Sequence, residues 1–143
     1  MTHHVDDRIV VRPAEPVDLE PVEAFIAPFV AAARILPRTT DELAGLLPTA
    51  FIAESDGQIV GFAALEIYSR KLAELRSLAV DEAWQGRGIG TRLVQACVEL
   101  ASHRRIFEII TITSADDFFR RCGFDFTLPG EKKALFLQTR ETP

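Results

Sequence analysis

The sequence predicts an α/β (α+β) fold in one domain, 1–143, with strands at its centre and about four helices. Three observations carry this reading. Apolar runs on both sides of Asp56-Gly57 mark a β-hairpin in the middle of the chain. A short apolar run over 75–80 then feeds a loop holding Gly86, Gly88 and Gly90. A helical pattern follows at once, with Ile89, Leu93, Ala96, Cys97, Leu100 and Ala101 near spacings of three, four and seven. In order, the elements run β-α-α-β-β-β-α-β-α-β-β.

The first strand covers 5–12 and ends at Pro13, as an edge or first strand does. Glu15-Pro16-Val17-Asp18 turns into a helix, with Asp18 as candidate N-cap. Leu19, Val22, Phe25, Ile26 and Phe29 form that helix's apolar stripe. Pro21 falls in the first turn, where proline is tolerated, whereas Pro28 is expected to end or bend the helix. Thr39 or Thr40 caps a second short helix, with Glu42 placed to complete a capping box with Thr39. The strands 51–54 and 59–65 follow, the second apolar throughout, as a strand covered on both faces is. Residues 72–80 form the next strand, antiparallel to it. After the long helix come a strand over 106–112 and a short helix capped by Thr113 or Ser114 and stopped by Gly123. Two strands, 124–128 and 134–138, close the chain around Pro129-Gly130.

Bulk composition narrows the function classes. With 143 residues the chain holds one core and is too short for two. Apolar residues at 48% and charged residues at 26% are ordinary for a globular domain. No apolar run reaches membrane-spanning length, and the N-terminus lacks a signal-peptide pattern, so a cytoplasmic location is expected. A net charge of −5 argues against nucleic acid or a membrane surface as partner. The expected partner is a small molecule, and a homodimer is compatible with the sequence. Cys97 and Cys122 are too few for a disulfide framework and read as small buried hydrophobes in a reducing compartment. No metal site is expected.

The glycine-rich loop carries the chemistry. The first N–H groups of a helix have no internal partner and sit at the positive end of its dipole. Alternate glycines remove the side chains that would hold a phosphate away from those groups. Gln85, Gly86, Arg87, Gly88, Ile89, Gly90 and Thr91 therefore read as a pyrophosphate cradle, with Arg87 adding a cation. It is not a P-loop, since Thr91-Arg92 follows the last glycine where Lys and Ser/Thr are needed. Nor is it the dinucleotide fingerprint, whose glycine spacing differs. The alternative is a tight strand-to-helix turn that binds nothing.

With Leu78-Ala79-Val80 before it, Gln85-Gly86-Arg87-Gly88-Ile89-Gly90 resembles the coenzyme A signature Q/R-x-x-G-x-G/A of the GNAT superfamily of N-acetyltransferases. The resemblance extends over nearly the whole chain. It implies a mixed central sheet splayed around acetyl-CoA, the pyrophosphate on the cradle amides, and the pantetheine arm against the backbone of Leu78, Ala79 and Val80. It also implies that a backbone N–H near Leu78 or Ala79 polarises the thioester carbonyl. Glu74 sits where several members carry a glutamate that removes the ammonium proton through water. Alternation places Glu74, Arg76 and Leu78 on one strand face. Arg76 beside Glu74 favours an ionised carboxylate or grips a substrate carboxylate; a structural ion pair is the plainer alternative. Many members carry a tyrosine in the last short helix as proton donor, but this chain has Phe118 and Phe119 there. Phe119 is then expected to pack against the pantetheine end.

Several segments, among them Leu36-Pro37-Arg38-Thr39 and Ala64-Leu65-Glu66-Ile67-Tyr68-Ser69, are similar to the short N-acetylglutamate synthase-like acetyltransferases of arginine biosynthesis. That similarity implies that Arg38 holds a substrate carboxylate, with Thr113 and Ser114 as further polar contacts. From the residues alone, Arg38 is either a solvated loop charge or a carboxylate clamp between two helices. The expected activity is acetyl transfer from acetyl-CoA to the amine of a small acceptor, L-glutamate or a related amino acid. The alternatives are another amine (polyamine, antibiotic or protein) and an acetyl-CoA-binding module without catalysis.

Overall fold

Five strands form one sheet in sequence order: β1 (Val10–Pro13), β2 (Ala50–Ser55), β3 (Gln58–Ile67), β4 (Leu72–Val80) and β5 (Glu108–Ile110). The first four pair antiparallel and β5 joins β4 in parallel, so the sheet is mixed. The structure is a computed structural model that describes residues 8–139. By its contacts the chain divides into two units, 1–112 and 113–143. The first holds the sheet with α1 (Leu19–Ala31), α2 (Thr40–Leu46) and α3 (Ile89–His103). The second holds α4 (Asp116–Arg121) and a hairpin of β6 (Thr127–Leu128) and β7 (Lys132–Lys133). Among the described residues no helix is long and apolar enough to cross a membrane.

The sheet is covered on both faces. Val22 and Ile26 of α1 and Leu43 and Leu46 of α2 pack with Ile52, Phe62, Ala64 and Ala79. On the opposite face, α3 lies directly on the strand backbone. A methyl group on Gly61 would stand 2.9 Å from Leu93 Cδ1 and 3.0 Å from Ile89 Cγ2, closer than carbon atoms approach. Cys97 is fully buried on α3, and burial pushes its thiol up to about 12, so it stays a protonated hydrophobe.

The cap of α2 follows the sequence expectation: Thr39 Oγ1 accepts the Glu42 N–H and Glu42 accepts the Thr39 N–H, both at 3.1 Å. Other elements depart from it. Of the strand expected over 5–12, residues 5–7 lie outside the described residues, and β1 begins at Val10 and includes Pro13. Pro13 is tolerated because β1 is the sheet edge. Helix α1 continues through Pro28 and ends three residues later, at Ala31, the proline forgoing the N–H bond to the carbonyl of Ala24. Asp18 is the N-cap residue of α1, as expected, but its side chain makes no cap hydrogen bond to the helix. Its carboxylate accepts the Glu15 N–H at 2.7 Å and takes a bidentate pair of bonds from Arg12 at 2.8 and 2.9 Å. Arg12 also reaches Glu54 at 3.1 Å, tying β1, β2 and the entry to α1 together.

Only Glu108–Ile110 of the expected 106–112 strand is paired, because β4 offers it a partner at just Leu72, Ala73 and Glu74. At the C-terminal end, the turn at Gly130 and Glu131 (φ +84° and +61°) sets Leu128 opposite Lys132 and Thr127 opposite Lys133. The ladder stops there, since the Phe126 N–H is taken by its neighbour Asp125 at 2.8 Å. Residues 134–138 are consequently not a strand. Helix α4 has Ala115 as N-cap with no side-chain bond; Thr113 Oγ1 instead accepts the Ala115 N–H ahead of the helix.

The Arg12 hydrogen bonds hold the Asp18 carboxyl below its ordinary value of 3.8. The stability they contribute is complete above that value and is lost as pH falls below it. Asp18→Asn should cost about 2 kcal/mol in urea unfolding at neutral pH. The gap to wild type should shrink as the pH is taken below 3.8; a gap independent of pH would contradict the assignment.

Candidate active site

Strand β4 has two neighbours at its start and one thereafter. It pairs with β5 at Leu72, Ala73 and Glu74, and the Leu75 carbonyl accepts the Thr111 hydroxyl at 3.1 Å. Beyond that point the two strands part, and Arg76–Val80 keeps β3 as its only strand partner among the described residues. Backbone donors and acceptors on that side of β4 are therefore open to an extended ligand.

A bulge re-aims the same stretch. Phe62 pairs with Ala79 and Ala64 with Arg76, so Ser77 and Leu78 together oppose Ala63. Ser77 adopts φ +59°, the left-handed conformation of a bulge residue. The extra residue resets the alternation. Glu74 and Arg76 share their face with Ala79, not with Leu78 as strict alternation predicts.

Below β4 the chain turns into α3 as the glycine pattern anticipated. Asp81 Oδ1 accepts the Ala83 N–H at 2.9 Å and sets a single 3-10 turn, Glu82–Trp84. Gln85 Nε2 reaches back to the Val80 carbonyl at 3.4 Å, binding the loop to the strand end. Gly86 and Gly88 take φ +78° and +77°, and a Cβ at either would point into open space. Gly88 caps α3 without a side chain, so no side chain covers the first amides of the helix. Arg87 stacks over Trp84 with its guanidinium 4.6 Å from the ring centroid. Ile89 is buried, while Gly90 and Thr91 complete the first turn. These residues fit a pyrophosphate: free helix amides, an adjacent cation and open space above the glycines.

A second cluster lies at the far end of β4. Glu66 and Glu74 are directly opposite each other on β3 and β4. Like charges so placed repel, and two arginines offset them. Arg38, in the loop between α1 and α2, donates to Glu66 Oε1 at 3.1 Å, and Arg76 approaches the same oxygen at 3.4 Å. Arg76 Nε lies 3.8 Å from Glu74 Oε2. Burial pulls the Arg76 guanidinium down, but Glu74, Tyr68 and Glu66 around it more than offset this and leave it raised. Arg38 is largely buried, and its Nε has no hydrogen-bond partner among the described residues. An orphaned buried donor on a cation marks a place for an anion.

Arg38, Arg76 and Glu74, singled out on separate grounds in the sequence, thus come together. Two further members of the cluster went unnoticed there as site residues. Glu66 joins the arginines, and Tyr68 donates its phenol to Glu74 Oε1 at 2.5 Å. Both follow from the β3–β4 register, which places Glu66 opposite Glu74 and brings Tyr68 round in the turn. Thr113, Ser114 and Phe119 belong to the 113–143 unit. There Phe119 is buried and packs edge-on against Phe118 and Phe124, with ring centroids 5.1 and 5.4 Å away.

Gly88→Ala tests the cradle. A non-glycine residue in the left-handed region is strained by about 1 kcal/mol. The Kd for coenzyme A, read by calorimetry, should rise several-fold while the arginine–glutamate cluster stays intact; an unchanged Kd would remove Gly88 from the cradle.

Comparison with known proteins agrees with this geometry. The pattern of the acetyltransferase (GNAT) family matches residues 20–124. An amino-acid acetyltransferase of Mycobacterium tuberculosis is 30% identical over 122 residues, 83% of this chain and 70% of the relative. The crystal structure of Rv2747 from the same organism, in complex with CoA, superposes with a TM-score of 0.73 at 27% identity, over 82% of this chain and 74% of that one. The N-acetylglutamate synthase of Neisseria gonorrhoeae, complexed with coenzyme A and N-acetyl-glutamate, gives 0.74 at 25% identity, over 81% of this chain but only 28% of the synthase. The chain belongs to the GNAT family and is an acetyl-CoA-dependent N-acetyltransferase.

Proposed function

We propose that this enzyme acetylates the α-amine of a small amino acid carrying a carboxylate, L-glutamate or a close relative, in the cytoplasmic arginine-forming route. One observation carries the acceptor class: the buried Arg38 Nε, without a partner, in a cluster that also holds Glu74. An amino acid has the complementary charges, a carboxylate for Arg38 and an ammonium for Glu74. The amino-acid acetyltransferase and N-acetylglutamate synthase among the similar proteins support the same choice.

Acetyl-CoA, when bound, supplies an acetyl group activated as a thioester. Its pyrophosphate is held by the loop amides of Gly86, Gly88, Ile89, Gly90 and Thr91, with Gln85 and Arg87 beside them. The backbone of Leu78, Ala79 and Val80 receives the pantetheine arm, and an N–H near Leu78 or Ala79 takes up charge on the carbonyl oxygen. Glu74 accepts, through water, the proton the acceptor ammonium must lose before nitrogen can attack. The C–N bond forms as the C–S bond breaks; coenzyme A leaves as the thiolate, and the proton the acylated nitrogen sheds goes to it, directly or through water.

Thiol release from acetyl-CoA, measured with amino acids, polyamines and peptides, tests this directly. Turnover with glutamate or a near relative is expected; turnover with polyamines alone would sink the acceptor class. Glu74→Gln should lower kcat by about 10²–10⁴ without weakening acetyl-CoA binding. Arg38→Ala should raise the acceptor KM by about tenfold or more, as for a lost charged hydrogen bond, and leave the acetyl-CoA KM unchanged.

A further inference from the structure

We propose that Tyr68 is a positioning residue for Glu74: its hydroxyl occupies Oε1 of the carboxylate and leaves Oε2 as the oxygen that receives the acceptor's proton. The inference rests on the proposed role of Glu74 as base and adds what makes that base usable.

Glu74 is the only glutamate of the described residues buried below a tenth exposure. A buried carboxylate needs fixed partners, and its two oxygens are treated differently here. Oε1 takes the Tyr68 hydrogen bond at 2.5 Å. Among the described residues Oε2 has only the Arg76 Nε, at 3.8 Å, beyond hydrogen-bond reach. One oxygen is therefore committed and the other has unused lone pairs.

The turn around Tyr68 is built to hold it. The N–H groups of Tyr68 and Ser69 both donate to the Leu72 carbonyl, at 3.0 and 3.2 Å. Ser69 Oγ in turn accepts the N–H groups of Lys71 and Leu72, at 3.1 and 3.2 Å. The phenol thus stands on a pinned turn six residues before the carboxylate it holds. Arg76 Nη1 lies 3.5 Å from the same hydroxyl, and Glu66, bonded to Arg38, completes the charged groups around it. Burial, and then the bond to Glu74, raise the phenol above its usual range, which keeps it protonated and donating.

The test combines kinetics with a spectroscopic signature. Tyr68→Phe keeps the ring and removes the hydroxyl. It should lower kcat by about 10²-fold, the scale of a misplaced catalytic group, with the acetyl-CoA KM unchanged. Tyr68 is the single tyrosine of the chain, so its phenolate absorbance can be read without overlap. Ionisation should begin at lower pH in Glu74→Gln than in wild type, a comparison that needs no Tyr68 variant. Full kcat in Tyr68→Phe, or identical phenol titrations, overturns the positioning role while leaving Glu74 as base. Full turnover in Glu74→Gln overturns both.

Discussion

The proposed site depends on β4 having a second strand partner for only part of its length among the described residues. The parallel contact with β5 lasts for Leu72, Ala73 and Glu74, and then the strands separate. A sheet that stayed closed would spend the β4 backbone on β5 and leave no extended edge for a ligand. The bulge at Ser77 belongs to the same solution, since it bends the strand where its neighbour is lost.

The two ends of β4 then do different work. Beyond its C-terminal end, glycines bare the first amides of α3, so the proposed recognition of an anion would fall to the main chain. At its N-terminal end, side chains are crowded. Two glutamates and two arginines meet within a few ångströms, with Tyr68 between them. The charges nearly balance, so the cluster is stable without a ligand, yet one donor of Arg38 remains unspent. Such a site discriminates by the pairing it still lacks.

What the sequence revealed followed from the range of the interactions involved. The cradle is local: a strand, three glycines and a helix within sixteen or so consecutive residues, each with its own turn chemistry. The capping box at Thr39 and Glu42 is local too, and it formed as read. The bulge left no mark, because a serine in the left-handed region looks like any other serine in a strand. Tyr68 and Glu66 acquire meaning only once β3 and β4 are aligned residue by residue. At the C-terminal end, the apolar run over 134–137 suggests a strand, but register from the Gly130 turn decides which residues pair.

Gly61 has a wider meaning than packing. It pairs with Val80, the last residue of β4, while its missing side chain is the space into which Ile89 and Leu93 of α3 settle. The helix that bears the cradle is thus seated against the sheet with no spacer between them. The height of the proposed phosphate seat above the sheet is set by the thickness of a bare backbone. A single methyl group, buried on the face opposite the charged cluster, would act as a shim. It would lengthen the span a fixed-length cofactor arm has to bridge, and so reach the chemistry without touching any group that takes part in it.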